Sequence, residues 1–182
     1  MKELSLNILD ITENSVKAGA TLTEITVDES DTILTITISD NGCGMTDEVI
    51  RSVTDPFYTT RKTRRVGLGI PLLKLACEQT GGTLSITSKT LADYPEHHGT
   101  CVVATFRKDH LDFTPLGDVI STLITLVQGH PDVDFHYIHN KNRGRVEMDT
   151  REMREVLGDV PLNSYEVICW IGDYLREQYS LV

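Results

Sequence analysis

Asp40-Asn41-Gly42-Cys43-Gly44-Met45 is the stretch that decides how this chain folds. It closes a run over 32–39 in which Ile and Leu alternate with Thr and Ser, the period of a half-buried strand. A carboxylate at the end of such a strand can accept a hydrogen bond from the exocyclic amine of adenine. The glycines after it let the backbone turn tightly beside a flat ring. Taken alone, the same letters also describe a DNG turn that ends a strand. The flanking sequence chooses between the two.

Upstream, 22–28 is a second β-like run, joined to 32–39 by Glu29-Ser30-Asp31 as a hairpin turn. Before it, Leu4, Leu6, Ile8, Leu9, Ile11 and Val16 recur mostly at three- and four-residue steps, which predicts an amphipathic helix ending at Ala18-Gly19. Asp10 and Asn14 lie four residues apart on one face of that helix, with Lys17 one turn on. An amide oxygen at Asn14 can complete the shell of a Mg2+ that also holds phosphate oxygens. Asp10 could orient or deprotonate a water or hydroxyl attacking a γ-phosphate, and Lys17 can reach a phosphate. A solvated helix face is the alternative for this trio, and Glu13 reads as a surface acid.

Downstream, 46–53 reads as a short helix with Thr46 as N-cap, and 55–66, rich in Thr and Arg, as a loop. Gly67-Leu68-Gly69 opens an apolar helix over 68–79, with Pro71 tolerated in its first turn. Small residues at a helix N-terminus let phosphates approach the free N–H groups. Strands follow over 83–88 and 100–106, the second entered through Gly99-Thr100. The connection between them includes His97-His98, read as a solvated loop. The order αββααββ predicts a sheet covered on one face by helices.

Together these pieces resemble the ATPase domain shared by sensor histidine kinases, Hsp90-type chaperones, gyrase B and MutL. Glu13-Asn14-Ser15-Val16-Lys17-Ala18-Gly19-Ala20-Thr21 is similar to the N box, and Asp40 to Met45 to the G1 box. Asp55-Pro56-Phe57-Tyr58-Thr59-Thr60-Arg61 resembles the F box that marks the histidine-kinase branch. Gly67-Leu68-Gly69-Ile70 resembles the G2 box, and Gly99-Thr100 the final Gly-Thr. The resemblance covers 1–107 and implies an α+β two-layer sandwich of the Bergerat type, a mixed sheet with helices on one face. It implies ATP and Mg2+ as cofactors, with Asn14 ligating the metal and Asp40 reading adenine. Lys17, Gly42, Gly44, Met45, Phe57, Thr59, Thr60, Arg61, Gly67, Leu68, Gly69 and Thr100 would line the nucleotide, and 58–66 would form a lid. Asp10 stands where the gyrase and MutL members carry a hydrolytic glutamate, and it is one methylene shorter.

After 107 the character shifts. Arg107-Lys108-Asp109-His110 is a charged junction, and helices over 116–128, 151–157 and 165–179 with strands over 133–138 and 145–148 predict a small α+β C-terminal domain, or an extension packed on the first, over 108–182. His110-Leu111-Asp112-Phe113-Thr114-Pro115-Leu116 resembles a kinase phosphoacceptor motif, but its acid is displaced and its arginine missing, so His110 reads as part of the junction. The N box starts near residue 10, which suggests a stand-alone module without the dimerisation and phosphoacceptor bundle of a histidine kinase.

The 182 residues carry a net charge of −10, which argues against a nucleic-acid partner. Four scattered cysteines without a CxxC pair suit free thiols in a reducing cytosol. No apolar run approaches the ~18 residues of a membrane span, and the N-terminus is not a signal peptide, so a cytoplasmic location is expected. Three functions fit: a protein kinase acting in trans on a protein phosphoacceptor, like the anti-sigma-factor kinases; an ATP-responsive protein-binding switch; and, last, a MutL-like ATPase. A homodimer is compatible with each.

Overall fold

The apolar positions of every strand fall on one face, and that face sets the architecture. The computed structural model describes residues 3–54 and 68–182. In chain order they form α1 (Leu4–Lys17), β1 (Leu22–Glu29), β2 (Ile33–Asp40), α2 (Asp47–Thr54), α3 (Gly69–Gln79), β3 (Leu84–Lys89), β4 (Gly99–Arg107), α4 (Val119–Gly129), β5 (Asp134–Lys141), β6 (Gly144–Asp149), α5 (Thr150–Leu157) and α6 (Tyr165–Ser180). The strands make one six-stranded sheet in the order β3-β4-β2-β1-β5-β6. Its neighbours are antiparallel except β1 and β5, which run parallel. A parallel pair needs a crossover, and the segment from 108 through α4 supplies it.

Register turns the two-residue period into rows across the sheet. Ile86, Val102, Ile38, Ile25, Tyr137 and Met148 are successive cross-strand partners on the helix side. Ile25 and Tyr137 are completely buried. The opposite face carries Thr26, Thr37 and Val103, all of intermediate exposure. Burying a Val, Leu or Ile contributes about 1.5–3 kcal/mol, so the helix-side rows hold the molecule together. α1 lies on β1 and β2, α3 on β3 and β4, and α6 on β6, with α4 packed against both α1 and α6. The result is an α+β two-layer fold, a mixed sheet with its helices on one side.

α1 begins without a capping side chain. Its Leu4 and Ser5 amides instead donate to the carbonyls of Pro115 and Leu116, at 2.9 and 2.8 Å. At the other end Gly19 adopts φ +77°, the left-handed stop that its sequence position predicts. Residues 108–182 therefore extend the sheet of the first 107 and finish its first helix. Thr122 Oγ1 donates to Ser5 O at 3.4 Å, and His130 Nε2 meets Glu13 Oε1 at 2.7 Å. Glu13 is thus half-buried and paired, where its sequence reading made it a surface acid. The edge at β6 is closed by Gln178, which accepts from Glu147 N and donates to Glu147 O, at 2.9 and 2.8 Å.

A half-buried chain of polar groups ties the far end of the sheet to α6. Lys108 Nζ meets Glu29 Oε1 at 2.8 Å, Glu29 Oε2 meets His139 Nε2 at 3.0 Å, and His139 Nδ1 meets the Tyr179 hydroxyl at 2.9 Å. Burial lowers the His139 pKa against the pull of Glu29. Burial also pushes Glu29 up, but Lys108 and His139 together outweigh it and leave the carboxyl below its usual range. Tyr179 is pushed up to about 12, chiefly by burial. Among the described residues no helix is long and apolar enough to cross a membrane.

Candidate functional site

Asp40 is the last residue of β2 and falls in the helix-side row, between Thr23 of β1 and Thr100 of β4. Its carboxylate is half-buried and already holds three donors. Ser15 Oγ of α1 reaches Oδ2 at 2.6 Å, while Gly42 N and Thr100 N reach Oδ1 at 2.9 and 3.2 Å. Spare lone pairs on such a carboxylate can still accept an amine. Ser88 continues the row: its Oγ accepts Met45 N at 2.8 Å, donates to Gly99 O at 2.9 Å and meets Thr100 Oγ1 at 2.8 Å. A cavity of about 250 Å3 at this end of the sheet is bordered by Asp40, Ser88 and Thr100, but also by Ser39, Thr87 and Cys101 of the opposite face, and by no residue of α1 or α3.

The turn after Asp40 needs its glycines. Gly44 has φ +71°, and a Cβ there would lie 2.0 Å from Lys89 O. Gly99 has φ +129°, and its Cβ would lie 1.9 Å from Asp40 O. Both positions are close approaches of two backbones, and only glycine permits them. Asn41 staples the turn to the start of β1: its Oδ1 accepts Thr21 N and Leu22 N at 2.8 and 3.0 Å.

The end expected to take phosphate is formed by α1 and α3. Asp10 and Lys17 are exposed and Asn14 half-buried. Gly69, buried at the start of α3, faces Asp10 and Asn14: a Cβ on it would stand 3.2 Å from Asp10 Cβ and 3.8 Å from Asn14 Nδ2. The structure thus brings the predicted N-box and G2-box residues together. No side-chain cap bonds to the first turn of α3 among the described residues, so its amides suit an anion. Leu68, before it, is 69% exposed. Phe57, Thr59, Thr60, Arg61 and Gly67 lie outside the described residues, as does the predicted lid.

No group of three or more His, Cys, Asp or Glu that could hold a metal gathers among the described residues. The donor set still suits Mg2+. That ion keeps most of its shell as water and phosphate oxygens and needs few protein oxygens. Asn14 offers one, and its side chain makes no hydrogen bond to another described residue. Cys101, beside Thr100 but on the opposite face of the sheet, has its thiol pushed up by burial.

A family model described as histidine kinase-, DNA gyrase B- and HSP90-like ATPase matches residues 2–110. The chain belongs to that family. This ATP-binding domain has sensor kinases among its relatives. It is similar to sporulation kinase B of Bacillus subtilis, 30% identical over 88 residues, 48% of this chain and 20% of that one. It is also similar to the signal transduction histidine-protein kinase AtoS of Escherichia coli, 32% identical over 88 residues, 48% of this chain and 14% of that one. The chain spans a fifth or less of the length of these kinases. In architecture it resembles the ADP complex of the Aquifex aeolicus MutL ATPase domain, with a TM-score of 0.54 at 14% identity over 86% of this chain and 69% of that one. At that identity the likeness speaks for the fold alone, and its coverage takes in part of the C-terminal extension.

Ser88 and His98 lie in no family motif, and Ser15 and Asn41 lie inside the N and G1 boxes without a role read from the sequence. Ser15 had a readable signal, since it continues the Leu4, Ile8, Ile11 stripe of α1 as a polar residue on a core face. Ser88 likewise shares parity with Leu84 and Ile86. His98 had none, and its reading as a solvated loop is corrected here. It is half-buried, with Nδ1 donating to Gly42 O at 2.6 Å.

Proposed function

We propose that this chain binds Mg2+-ATP between α1 and α3 and passes the γ-phosphate to a protein partner in trans. The observation that carries the reading is the convergence of Gly69 on Asp10 and Asn14. It sets a helix N-terminus, an amide ligand and a carboxylate within one turn of each other. Asp40 accepts the adenine amine, Asn14 supplies the protein oxygen to Mg2+, and Lys17 and the first amides of α3 take phosphate oxygens. Held through Asn14, Mg2+ would supply neutralisation of the phosphate charge. Asp10 orients the attacking group of the partner and takes up its proton, while the bond to the ADP oxygen breaks.

Transfer in trans is supported by where His110 lies. It follows β4 at the end opposite Asp40, and the eight steps from Gly99 to Arg107 span roughly 26 Å at ~3.3 Å each. A γ-phosphate at Asn14 is out of reach of that imidazole in the same copy. The test is γ-labelled ATP with wild type, Asn14→Ala and Asp10→Asn, with and without native extract. Asn14→Ala is expected to abolish Mg2+-ATP binding, and Asp10→Asn to bind normally but neither transfer nor turn over. Label appearing on His110 with purified protein alone, or tight binding with no transfer to any protein, overturns the trans-kinase reading. The second outcome leaves an ATP-responsive switch.

A further inference from the structure

The geometry points to His98 as the positioning residue that gives this site its preference for adenine, a reading that rests on the ATP site described above. Asp40 can select a purine amine only if its carboxylate stays put. A carbonyl-bearing purine presents an acceptor at the same place and leaves the carboxylate facing another oxygen. The place of that carboxylate is set by three donors, and one of them is the Gly42 amide. The carbonyl of the same residue is the group that His98 holds, at 2.6 Å. His98 therefore acts through residue 42 on Oδ1, whose two amide donors fix the carboxylate, while Oδ2, with Ser15 as its one donor, keeps a lone pair for the amine.

The contact is part of an interlock between the G1 turn and the β3–β4 connection. Leu91 N donates to Cys43 O at 2.9 Å, Lys89 O packs on Gly44, and Gly99 packs on Asp40 O. These are backbone contacts, present whatever the side chains. His98 is the one side chain of 90–98 that hydrogen-bonds the turn among the described residues. It holds the turn from the β3–β4 side, while Ser15 holds Asp40 from α1. Donation to a carbonyl fixes the proton on Nδ1 in the neutral ring. Neighbouring His97 is exposed and bonds no part of the turn.

The experiment compares ATP with inosine triphosphate, which keeps the sugar and phosphates but carries a carbonyl in place of the amine. Dissociation constants are measured for wild type, His98→Ala, His98→Gln and His98→Asn, with thermal midpoints alongside. The Asn amide nitrogen lies where Nδ1 does, whereas the Gln nitrogen overlays Nε2. His98→Ala and His98→Gln are expected to lose about tenfold in ATP affinity, the worth of one hydrogen bond, with little change for inosine triphosphate. The ATP preference falls by the same factor, and His98→Asn restores most of it. An unchanged preference in His98→Ala and His98→Gln overturns the proposal. So do an equal loss for both nucleotides and a failure of His98→Asn to restore the ratio. If wild type itself does not prefer ATP, the adenine-site reading fails instead, and the two failures are told apart by that one measurement.

Discussion

A chain ended at Lys108 keeps every family motif and loses β5, β6 and α4 to α6. The structure predicts that it does not fold cooperatively. β1 becomes an edge, because its positions from Leu22 to Asp28 lose their partners from Asp134 to Asn140. If half a dozen ladder bonds go, at roughly 0.5–1.5 kcal/mol each, about 5 kcal/mol is lost. The face of α1 at Ser5, Leu9 and Glu13 loses α4, and the Leu4 and Ser5 amides lose their carbonyl partners. Half-exposing Leu4, Leu9, Ile25 and Val27 adds about 1 kcal/mol apiece, half of the usual burial gain. The sum, on the order of 9 kcal/mol, rivals the ~5–15 kcal/mol that stabilises a whole domain. Thermal and urea unfolding by circular dichroism, with ATP affinity measured beside them, checks this. A sharp cooperative transition with ATP binding within threefold of the full chain would refute the reasoning, and it would make 1–107 an independent unit.

Gly69→Ala separates stability from function. Alanine's helix preference, at most about 1 kcal/mol at this first position, offsets the crowding against Asp10, so the thermal midpoint changes little, while a methyl 3.2 Å from Asp10 Cβ lowers nucleotide affinity by about tenfold in titration calorimetry. His139 has a folded pKa below its unfolded value near 6.5, so the unfolded chain takes the proton first. Stability falls as pH drops below 6.5, and the depressed Glu29 carboxyl extends that loss towards lower pH; urea midpoints from pH 8 to 4 should lose most of this slope in a His139→Gln background. Cys77 is fully buried with its thiol pushed up to about 12 by burial, whereas Cys43 is exposed on the G1 turn. An alkylating agent at pH 8 should modify Cys43 and spare Cys77 until urea is added, with saturating ATP slowing Cys43; equal labelling in the native state contradicts the burial.

Much of the fold was legible because its elements carry strong local periods. Helix and strand limits agree with the sequence to within a few residues, down to Gly19 as the stop of α1. The parallel partnership of β1 with β5 was not legible, since a parallel ladder joins segments whose pairing no local turn encodes. The same holds inside the site. Asp40, Gly42 and Gly44 announce themselves because backbone chemistry demands those residue types. His98 acts through one side-chain bond to a carbonyl 56 positions away, and any loop histidine looks the same in sequence.

α1 shows why polarity in the sequence did not translate into exposure. The helix has three working faces rather than one apolar stripe and one wet one. Leu4, Ile8, Ile11 and Ser15 lie against the sheet, Ser5 and Glu13 against α4 and its end, and Asp10 and Asn14 against the start of α3. Thr12 is completely buried and Asn7 nearly so, and neither Thr12 Oγ1 nor Asn7 Nδ2 finds a partner among the described residues. A helix selected only for stability would place leucine there, because an unpaired buried polar atom costs about 1–3 kcal/mol. With three neighbours fixing it in rotation, α1 cannot turn to relieve one contact without disturbing the other two. The side chains proposed to meet phosphate and metal are thereby held by the core and by the C-terminal extension at once.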